Sequence, residues 1–240
     1  MIKRLVQFIL VCIVMLTAFS ALAETLRIVT INLPPYGYVE NGHDTGLNYE
    51  LCNLIAFEAG FEPENRIVPL ARGVEDIASG KADIILMFPN PKINAVSKNL
   101  GLILPMETVI FGRAGSVYRS LKDVRGKTVA TVRGAKYDDR VTKKSGIILY
   151  PTESYSQSLK MLLANRVDAI IGPKLGLYFT ANKNGYPKHV FGTPLVLSVA
   201  PGSVFISNKT PEDIAARVAA AMDRIKAKRI EQEILEKYSL

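Results

Sequence analysis

The stretch Gly80-Lys-Ala-Asp83-Ile-Ile-Leu86 returns in altered form as Asn165-Arg-Val-Asp168-Ala-Ile-Ile171. Each copy begins with a residue that tolerates the left-handed backbone at a helix end, Gly in one and Asn in the other. Each copy then places a basic residue and an Asp ahead of a short apolar run, which is typical of a strand buried on both faces. The sequence therefore predicts one helix-to-strand joint that is used twice.

The segments around each joint repeat the same order of elements. Around the first joint the pattern predicts strands at 26–31, 66–69 and 83–87 and helices at 45–59 and 72–79. Around the second joint it predicts strands at 127–132, 147–150 and 168–171 and helices at 136–143 and 154–164. Strands that alternate with helices favour a parallel sheet with helices over its faces.

Two extended apolar stretches, 104–116 and 190–207, connect these halves, and helices follow Pro211. We predict an α/β, bilobed fold in which two βαβαβ lobes are joined by two extended hinge crossings. The predicted boundaries are residues 24–109 with 203–240 for lobe 1, and residues 110–202 for lobe 2. In such a fold the ligand cleft lies between the lobes, at the carboxyl ends of the strands.

The first 23 residues have the layout of a cleaved secretory signal. Lys3 and Arg4 form a positive head before an uncharged apolar stretch at 5–22, which ends in Ala21-Leu22-Ala23. The alternative is an uncleaved anchor helix, because this stretch is near the shortest length that spans a bilayer. We expect cleavage of the signal peptide and a mature protein in the periplasm.

Two cysteines limit the covalent chemistry of the chain. Cys12 lies in the leader, so the mature chain keeps only Cys52 and forms no internal disulfide. Neither Cys follows small residues at the end of the apolar stretch, so we expect no lipid anchor. Cys52 falls in an amphipathic helical pattern, which favours a buried apolar residue over a reactive thiol. With His43 and His189 as the histidines of the chain, we expect no metal site and no cofactor.

The charge balance is basic. Lys and Arg number 30 against 22 Asp and Glu, a net charge of +8 that falls to +6 without the leader. The densest run, 224–229, is followed by Glu231 and Glu233, which is typical of a solvated helix face. Because no aromatic residues interleave with this run as a base-stacking surface needs, we expect no nucleic-acid partner. A mild preference for anionic ligands stays open.

Five motifs follow one another through residues 25–240. They are Leu26-Arg-Ile-Val-Thr30, Pro34-Pro35-Tyr36-Gly-Tyr38 with Thr45-Gly46-Leu47, Ile77-Ala-Ser-Gly80-Lys-Ala-Asp83, Leu121-Lys-Asp-Val-Arg-Gly126-Lys-Thr-Val129 and Leu163-Ala-Asn-Arg-Val-Asp168-Ala169. Together they resemble the family 3 extracellular solute-binding proteins, the bilobed receptors that feed polar-amino-acid ABC transporters. The resemblance implies a type II periplasmic-binding-protein fold that closes on its ligand and delivers it to an ABC permease or presents it to a sensor-kinase receptor.

Three positions depart from the family pattern for amino-acid ligands. The T-x-x-R motif, whose Arg holds the α-carboxylate, is replaced by Phe88-Pro-Asn90-Pro-Lys92-Ile-Asn94. The nearest cation, Lys92, lacks the bidentate fork of Arg. The G-T pair after the first strand of lobe 2 becomes Arg133-Gly134, and the Asp that holds the α-amino group falls near Gly172-Pro173. The resemblance therefore supports the binding fold but not a standard amino acid as ligand.

In lobe 1, five residues are candidates for ligand binding. Tyr36 and Tyr38 follow the first strand, and the resemblance implies that Tyr36 stacks on the ligand; packing at the turn is the alternative. Arg72 begins a helix, where a positive charge opposes the helix dipole. Arg72 therefore either binds a ligand in the cleft or forms an ion pair at the surface. Phe88 and Asn90 end the third strand, another edge of the cleft.

In lobe 2, three residues are candidates. Arg133 and Gly134 end the first strand ahead of a predicted helix, and the free amide groups of that helix beside the guanidinium would bind an anion. Tyr137 lies one turn further along the same predicted helix. We predict that these three residues contact the ligand from the side opposite Tyr36 and Arg72.

The sequence contains no catalytic constellation: it lacks a G-x-S-x-G elbow and a P-loop. We therefore expect a monomeric binding protein that captures a small polar or anionic ligand between its lobes. Two alternatives stay open. One is a periplasmic enzyme on the same fold, similar to the cyclohexadienyl dehydratases, and the other is a partner-binding module that has lost its small ligand.

Overall fold

The computed structural model describes residues 24–239, so the predicted leader and the choice between cleaved signal and anchor lie outside the described residues. Within these residues the strands are β1 (Thr25–Ile31), β2 (Tyr38–Glu40), β3 (His43–Thr45), β4 (Glu62–Val68), β5 (Ile84–Met87), β6 (Ser97–Gly112), β7 (Thr128–Val132), β8 (Ile148–Thr152), β9 (Ala169–Pro173) and β10 (Leu195–Ser207). The helices are α1 (Leu47–Glu58), α2 (Leu70–Ser79), α3 (Pro91–Asn94), α4 (Tyr155–Leu163), α5 (Lys174–Lys183), α6 (Glu212–Lys228) and α7 (Ile230–Tyr238).

Eight strands form one sheet in the order β4-β1-β5-β10-β6-β9-β7-β8, while β2 and β3 form a separate hairpin. In lobe 1, β1 pairs in parallel with both β4 and β5. In lobe 2, β7 pairs in parallel with both β8 and β9. The two parallel trios confirm the α/β fold that the repeated order of elements predicts.

The strands β6 and β10 are the two hinge crossings. They pair with each other in antiparallel fashion from Ser97 opposite Ser207 to Ile110 opposite Leu195. At one end β10 joins β5 of lobe 1, and at the other end β6 joins β9 of lobe 2. Because this ribbon is the only part of the sheet shared by both trios within residues 24–239, bending it changes the width of the cleft.

Both joints have the predicted left-handed residue at the helix end. Gly80 closes α2 with φ 74°, and Asn165 follows α4 with φ 57°. At the first joint, the carboxylate of Asp83 accepts the backbone N–H of Arg27 at 2.9 Å. At the second joint, the carboxylate of Asp168 accepts the backbone N–H of Thr128 at 2.8 Å. The same side chain thus fixes the register of the central strand in each lobe.

The core has layers on both faces of the sheet. Along β1, Ile28 points into one apolar cluster and Val29 into another, as the alternation of a strand buried on both sides requires. The first cluster continues from Leu26 of lobe 1 to Leu159 of lobe 2, and a third cluster around Val129 covers the other face of lobe 2. Cys52 is a free thiol buried in the first cluster, as its helical pattern predicts.

Two predictions about local structure are wrong, and one helix was missed. Gly46 rather than Thr45 caps α1, and α5 was not predicted, because Pro173 and Gly176 interrupt its helical pattern. No α-helix forms at 136–143; the segment from 133 to 142 is loop and turn. There, the Asp138 carboxylate accepts the backbone N–H of Arg140 at 2.9 Å, a local bond that competes with a helix.

Candidate functional site

The carboxyl ends of strands from both lobes meet across the cleft. Phe88, which follows β5 in lobe 1, lies edge-on against Tyr137 of lobe 2, with ring centroids 6.4 Å apart. Nearby, Leu70 at the start of α2 approaches Gly134: a Cβ added at Gly134 would lie 3.8 Å from a Leu70 methyl carbon. The fold therefore brings together residues of different lobes, such as Phe88 and Tyr137, that are far apart in the sequence.

Three tyrosines form the floor of this contact. The hydroxyls of Tyr137 and Tyr155, both in lobe 2, are hydrogen-bonded at 3.1 Å. Tyr36 comes from lobe 1, and its buried hydroxyl makes no hydrogen bond of normal geometry within residues 24–239, although the backbone of Gly176 approaches it. Burial raises the pKa of all three phenols above the ordinary value of 10, so each is uncharged at neutral pH. This tyrosine cluster, Tyr36, Tyr137 and Tyr155, offers neutral hydrogen-bonding groups in an apolar setting.

The ring of Tyr155 fits against two glycines. A Cβ at Gly172 would lie 3.0 Å from one ring carbon of Tyr155, and a Cβ at Gly176 would lie 2.8 Å from another. Gly172 and Pro173 end β9 where the family pattern has an Asp for the α-amino group. Tyr155 therefore fills space beside the missing carboxylate. Sequence reasoning missed this residue, although two glycines four positions apart, at a strand end and in the next helix, are a signal of close packing.

Both candidate cations are held by carboxylates. Arg72 Nε lies 2.9 Å from the Asp76 carboxylate one turn along α2, which is the surface ion pair that the sequence left as an alternative. Arg133 Nε lies 2.8 Å from the Glu153 carboxylate. Each guanidinium is about half exposed or more, so its remaining N–H groups are accessible to a ligand. A ligand role for either residue stays a prediction.

The predicted helix N-terminus at Arg133 and Gly134 does not form, so the helix-based argument for an anion site is wrong, while a ligand role for the two residues stays a prediction. The backbone N–H of Arg133 donates to Thr152 O at 2.8 Å, and that of Ala135 donates to Val132 O at 3.0 Å. Gly134 lies between them with φ 79°, in a turn rather than at the start of a helix. Amide groups already used in this way do not form a cradle for an anion.

Asn90 has a structural role that the sequence did not predict. Its side-chain oxygen accepts the backbone N–H groups of Lys92 and Ile93 at 3.0 and 3.2 Å and so caps the short helix α3. Any contact of Asn90 with a ligand has to use its amide nitrogen, which lies 3.5 Å from Phe88 O. The cap therefore fixes the backbone at the cleft edge that carries Phe88.

Tyr38 lies in a second contact between the lobes. Its ring is 5.7 Å from that of Phe179 on α5, which in turn is 6.4 Å from that of Tyr238 at the end of α7. Beside them, Lys183 forms an ion pair with Glu40 of the β2–β3 hairpin. This contact lies beside the tyrosine cluster, so the structure places Tyr38 at the side of the cleft.

Within the described residues, no three or more His, Cys, Asp or Glu side chains are grouped to hold a metal ion. Nor does any helix between residues 24 and 239 have the length and apolar composition needed to cross a bilayer. The chemistry of the cleft therefore rests on phenols, aromatic rings and two paired guanidinium groups.

Comparison with known proteins places this arrangement in a family. "Probable amino-acid-binding protein YxeM" of Bacillus subtilis is 22% identical over 212 residues, which are 85% of this chain and 79% of that protein. A histidine kinase sensor domain with similarity to periplasmic binding proteins has the same fold, with a TM-score of 0.78, 20% identity and coverage of 90% of this chain and 96% of that one.

An ancestral arginine-binding protein bound to arginine also has this fold, with a TM-score of 0.75 and 20% identity, over 89% of this chain and 97% of that one. The family described as bacterial extracellular solute-binding proteins, family 3, matches residues 26–240, essentially the whole described structure. The chain therefore belongs to the family 3 bacterial extracellular solute-binding proteins.

Proposed function

We propose that this protein is a periplasmic receptor whose two lobes close on a small polar ligand at the tyrosine cluster. The residues proposed to contact it are Tyr36, Tyr38, Arg72, Phe88 and Asn90 of lobe 1 and Arg133, Gly134 and Tyr137 of lobe 2. The single observation that carries this proposal is the buried hydroxyl of Tyr36 at the contact between the lobes, which has a weak backbone contact with Gly176 and no hydrogen bond of normal geometry within residues 24–239. A buried polar group without a partner is unfavourable, and a ligand hydrogen bond would relieve it.

The proposed ligand is not a standard amino acid. A zwitterion needs a cation for its carboxylate and an anion for its amino group, and both must be available in the cleft. Here the anion is missing, because the end of β9 carries Gly172 and Pro173 where the family has Asp. Phenol hydroxyls instead suit a ligand with neutral hydrogen-bonding groups, and the outer guanidinium N–H groups suit an anionic substituent.

The mechanism is a shift of population between an open and a closed arrangement of the lobes. Bending of the β6–β10 ribbon would open the cleft, and contacts such as Phe88 with Tyr137 would form on closure. A ligand that bridges Tyr36 and Tyr137 binds the closed form better and so stabilises it. The same proposal includes three further predictions: export by the signal peptide, lobe boundaries at 109/110 and 202/203, and a monomeric state.

The first experiment identifies the ligand. Mass spectrometry of small molecules released from purified protein by mild denaturation should recover a compound that raises the melting temperature when it is added back, because binding to the native state stabilises it. Standard L-amino acids should give little or no shift. A large shift with one of them would show that the argument from the missing Arg and Asp is wrong.

The second experiment tests the two cations with matched controls. With the recovered compound as probe, Arg72→Ala and Arg133→Ala should each abolish most binding. Arg66→Ala serves as the control for Arg72, because Arg66 also contacts the Asp76 carboxylate, at 3.5 Å, but is not a site candidate. Glu153→Gln should preserve binding, since it frees Arg133. Unchanged affinity in both alanine variants would contradict the proposed site.

Delivery to an ABC permease and presentation to a sensor kinase are both consistent with this mechanism, because each partner would recognise the closed lobes. Reconstituted uptake of the recovered compound, measured with and without the purified protein, tests delivery to a permease. Stimulation of a kinase by the same compound, without uptake, would favour presentation to a sensor.

A further inference from the structure

A second concave site lies between the hinge strand β6 and the helices α5 and α7. This hinge groove has a volume of about 320 Å³, within the range of small-molecule pockets. It is lined by Tyr36, Pro105, Met106, Glu107, Pro173, Lys174, Leu175, Tyr178, Phe179, Lys188, Leu235, Tyr238 and Ser239. Tyr36 alone among them belongs to the proposed ligand contacts, so the hinge groove adjoins the cleft at Tyr36 and otherwise has its own lining.

The hinge groove lies where three elements meet. These elements would move relative to one another when the lobes open. Met106 and Glu107 belong to the hinge strand β6, Leu175 and Tyr178 to helix α5 of lobe 2, and Leu235 to the C-terminal helix α7. A ligand seated among these side chains would contact both lobes and the hinge together. Its binding would therefore depend on the angle between the lobes.

The lining is apolar with a positive margin. Aromatic rings and aliphatic chains supply most of the surface, and Glu107 is already paired with Lys174 at 2.7 Å. Lys188 lies over the ring of Tyr178, 5.4 Å from its centroid, and forms no ion pair within residues 24–239. The described lining thus carries two cations and one carboxylate, with Lys188 left to attract an anionic group.

We infer that the hinge groove binds a small aromatic monocarboxylate, with the ring among the apolar side chains that line the groove and the carboxylate at Lys188. The ring would gain from contact with the aromatic lining, and the carboxylate from the free ammonium group. Because the site spans β6, α5 and α7, its occupant holds the lobes together and strengthens binding in the cleft. This site would regulate the receptor rather than carry its transported ligand.

Phenylacetate is the probe, and phenylacetamide is its uncharged counterpart. Calorimetric titration of the purified protein should show saturable binding of phenylacetate and weaker binding of phenylacetamide. Lys188→Gln should weaken phenylacetate binding about fivefold, whereas Lys160→Gln, an exposed lysine on α4, should leave it unchanged. Equal affinity for the acid and the amide, or no saturable binding of the acid, would overturn the inference.

Blocking variants separate this site from the cleft. Leu175→Trp fills the hinge groove from lobe 2 and Leu235→Trp fills it from the C-terminal helix, so each should abolish phenylacetate binding. Arg133→Ala should not affect it. Normal binding by both Trp variants, or loss of binding in Arg133→Ala, would place the compound elsewhere and overturn the inference. Circular dichroism and thermal melting establish that each variant is folded, and the use of two positions guards against a single misfolded one.

Discussion

The two helix-to-strand joints have the same backbone but not the same side-chain support. In both, a residue in the left-handed region follows the helix, and the next backbone N–H bonds to a carbonyl five residues earlier: Lys81 to Asp76 and Arg166 to Met161, each at 2.9 Å. In both, Asp exchanges hydrogen bonds with the central strand. The backbone geometry is thus a property of the fold that the sequence repeat records.

The difference lies in what else the two carboxylates bind. Asp83 also accepts the guanidinium of Arg27, at 2.6 and 2.9 Å, and the hydroxyl of Thr210 at 2.9 Å. Asp168 has its backbone partner Thr128 and no side-chain donor within residues 24–239. Lobe 1 is therefore tied through this carboxylate to the segment that leads into α6, whereas in lobe 2 the side-chain donors, Arg113 and Tyr118, bond to backbone carbonyls of the joint and not to the Asp168 carboxylate.

The largest expected effect is on the free energy of unfolding when each Asp is replaced. Asp83→Ala should lower it by about 3 kcal/mol, because a buried carboxylate, its ion pair with the half-exposed Arg27 and several hydrogen bonds are lost together. Asp168→Ala should lower it by about 1 kcal/mol, the contribution of one hydrogen bond. Urea unfolding of both variants checks the difference. Equal losses would mean that the Arg27 and Thr210 contacts add nothing to the shared joint.

A smaller effect is expected at the left-handed residues. Gly80→Ala should destabilise by about 1 kcal/mol, because Ala is strained at positive φ. Asn165→Ala should destabilise by only about 0.5 kcal/mol, since Asn already has a Cβ in this conformation. Thermal and urea unfolding of the pair tests this order. A larger loss at Asn165 would show that its side chain stabilises lobe 2 by a contact beyond its backbone.

The parts of the fold that could be predicted are those that several local sequence features indicate together. Gly80 and Asn165 end helices, apolar runs of four residues form buried strands, and Pro211 precedes α6. A prediction based on one signal alone was wrong. The pattern at 136–143 had helical spacing, but the Asp138 carboxylate accepts hydrogen bonds from the backbone and side chain of Arg140. Local side-chain bonding therefore overrode weak helix propensity.

The candidate site was less predictable because it depends on pairing across the lobes. Phe88 and Tyr137 were expected near the cleft, and the structure brings their rings together. The sequence left an ion pair of Arg72 open, and Asp76 lies four residues along the same predicted helix, but it could not indicate that Glu153 would hold Arg133, because that contact depends on side-chain placement between separate segments. Tyr155 was missed for the same reason, since its fit against Gly172 and Gly176 joins three separate elements.

The smallest effect compares the cleft-edge loops of the two lobes in acid. The loop after β5 is held by the neutral cap Asn90, whereas the loop after β7 is held by Asp138, whose pKa is lowered from 3.8 by the hydrogen bond from Arg140. A lowered folded pKa means that the stabilisation is complete above the unfolded value and is lost as the pH falls through the folded one. Acid should therefore loosen the loop of lobe 2 before that of lobe 1.

Two reciprocal substitutions isolate this effect from the other carboxylates of the chain. Asp138→Asn should remove about 0.5 kcal/mol of the stability lost as the pH falls from about 5 to about 2, and Asn90→Asp should add a similar acid-sensitive amount in lobe 1. Urea unfolding at a series of pH values measures both. If the pH profile of Asp138→Asn matches that of the unsubstituted protein, the Arg140 contact does not hold the loop, and the contrast between the two cleft edges disappears.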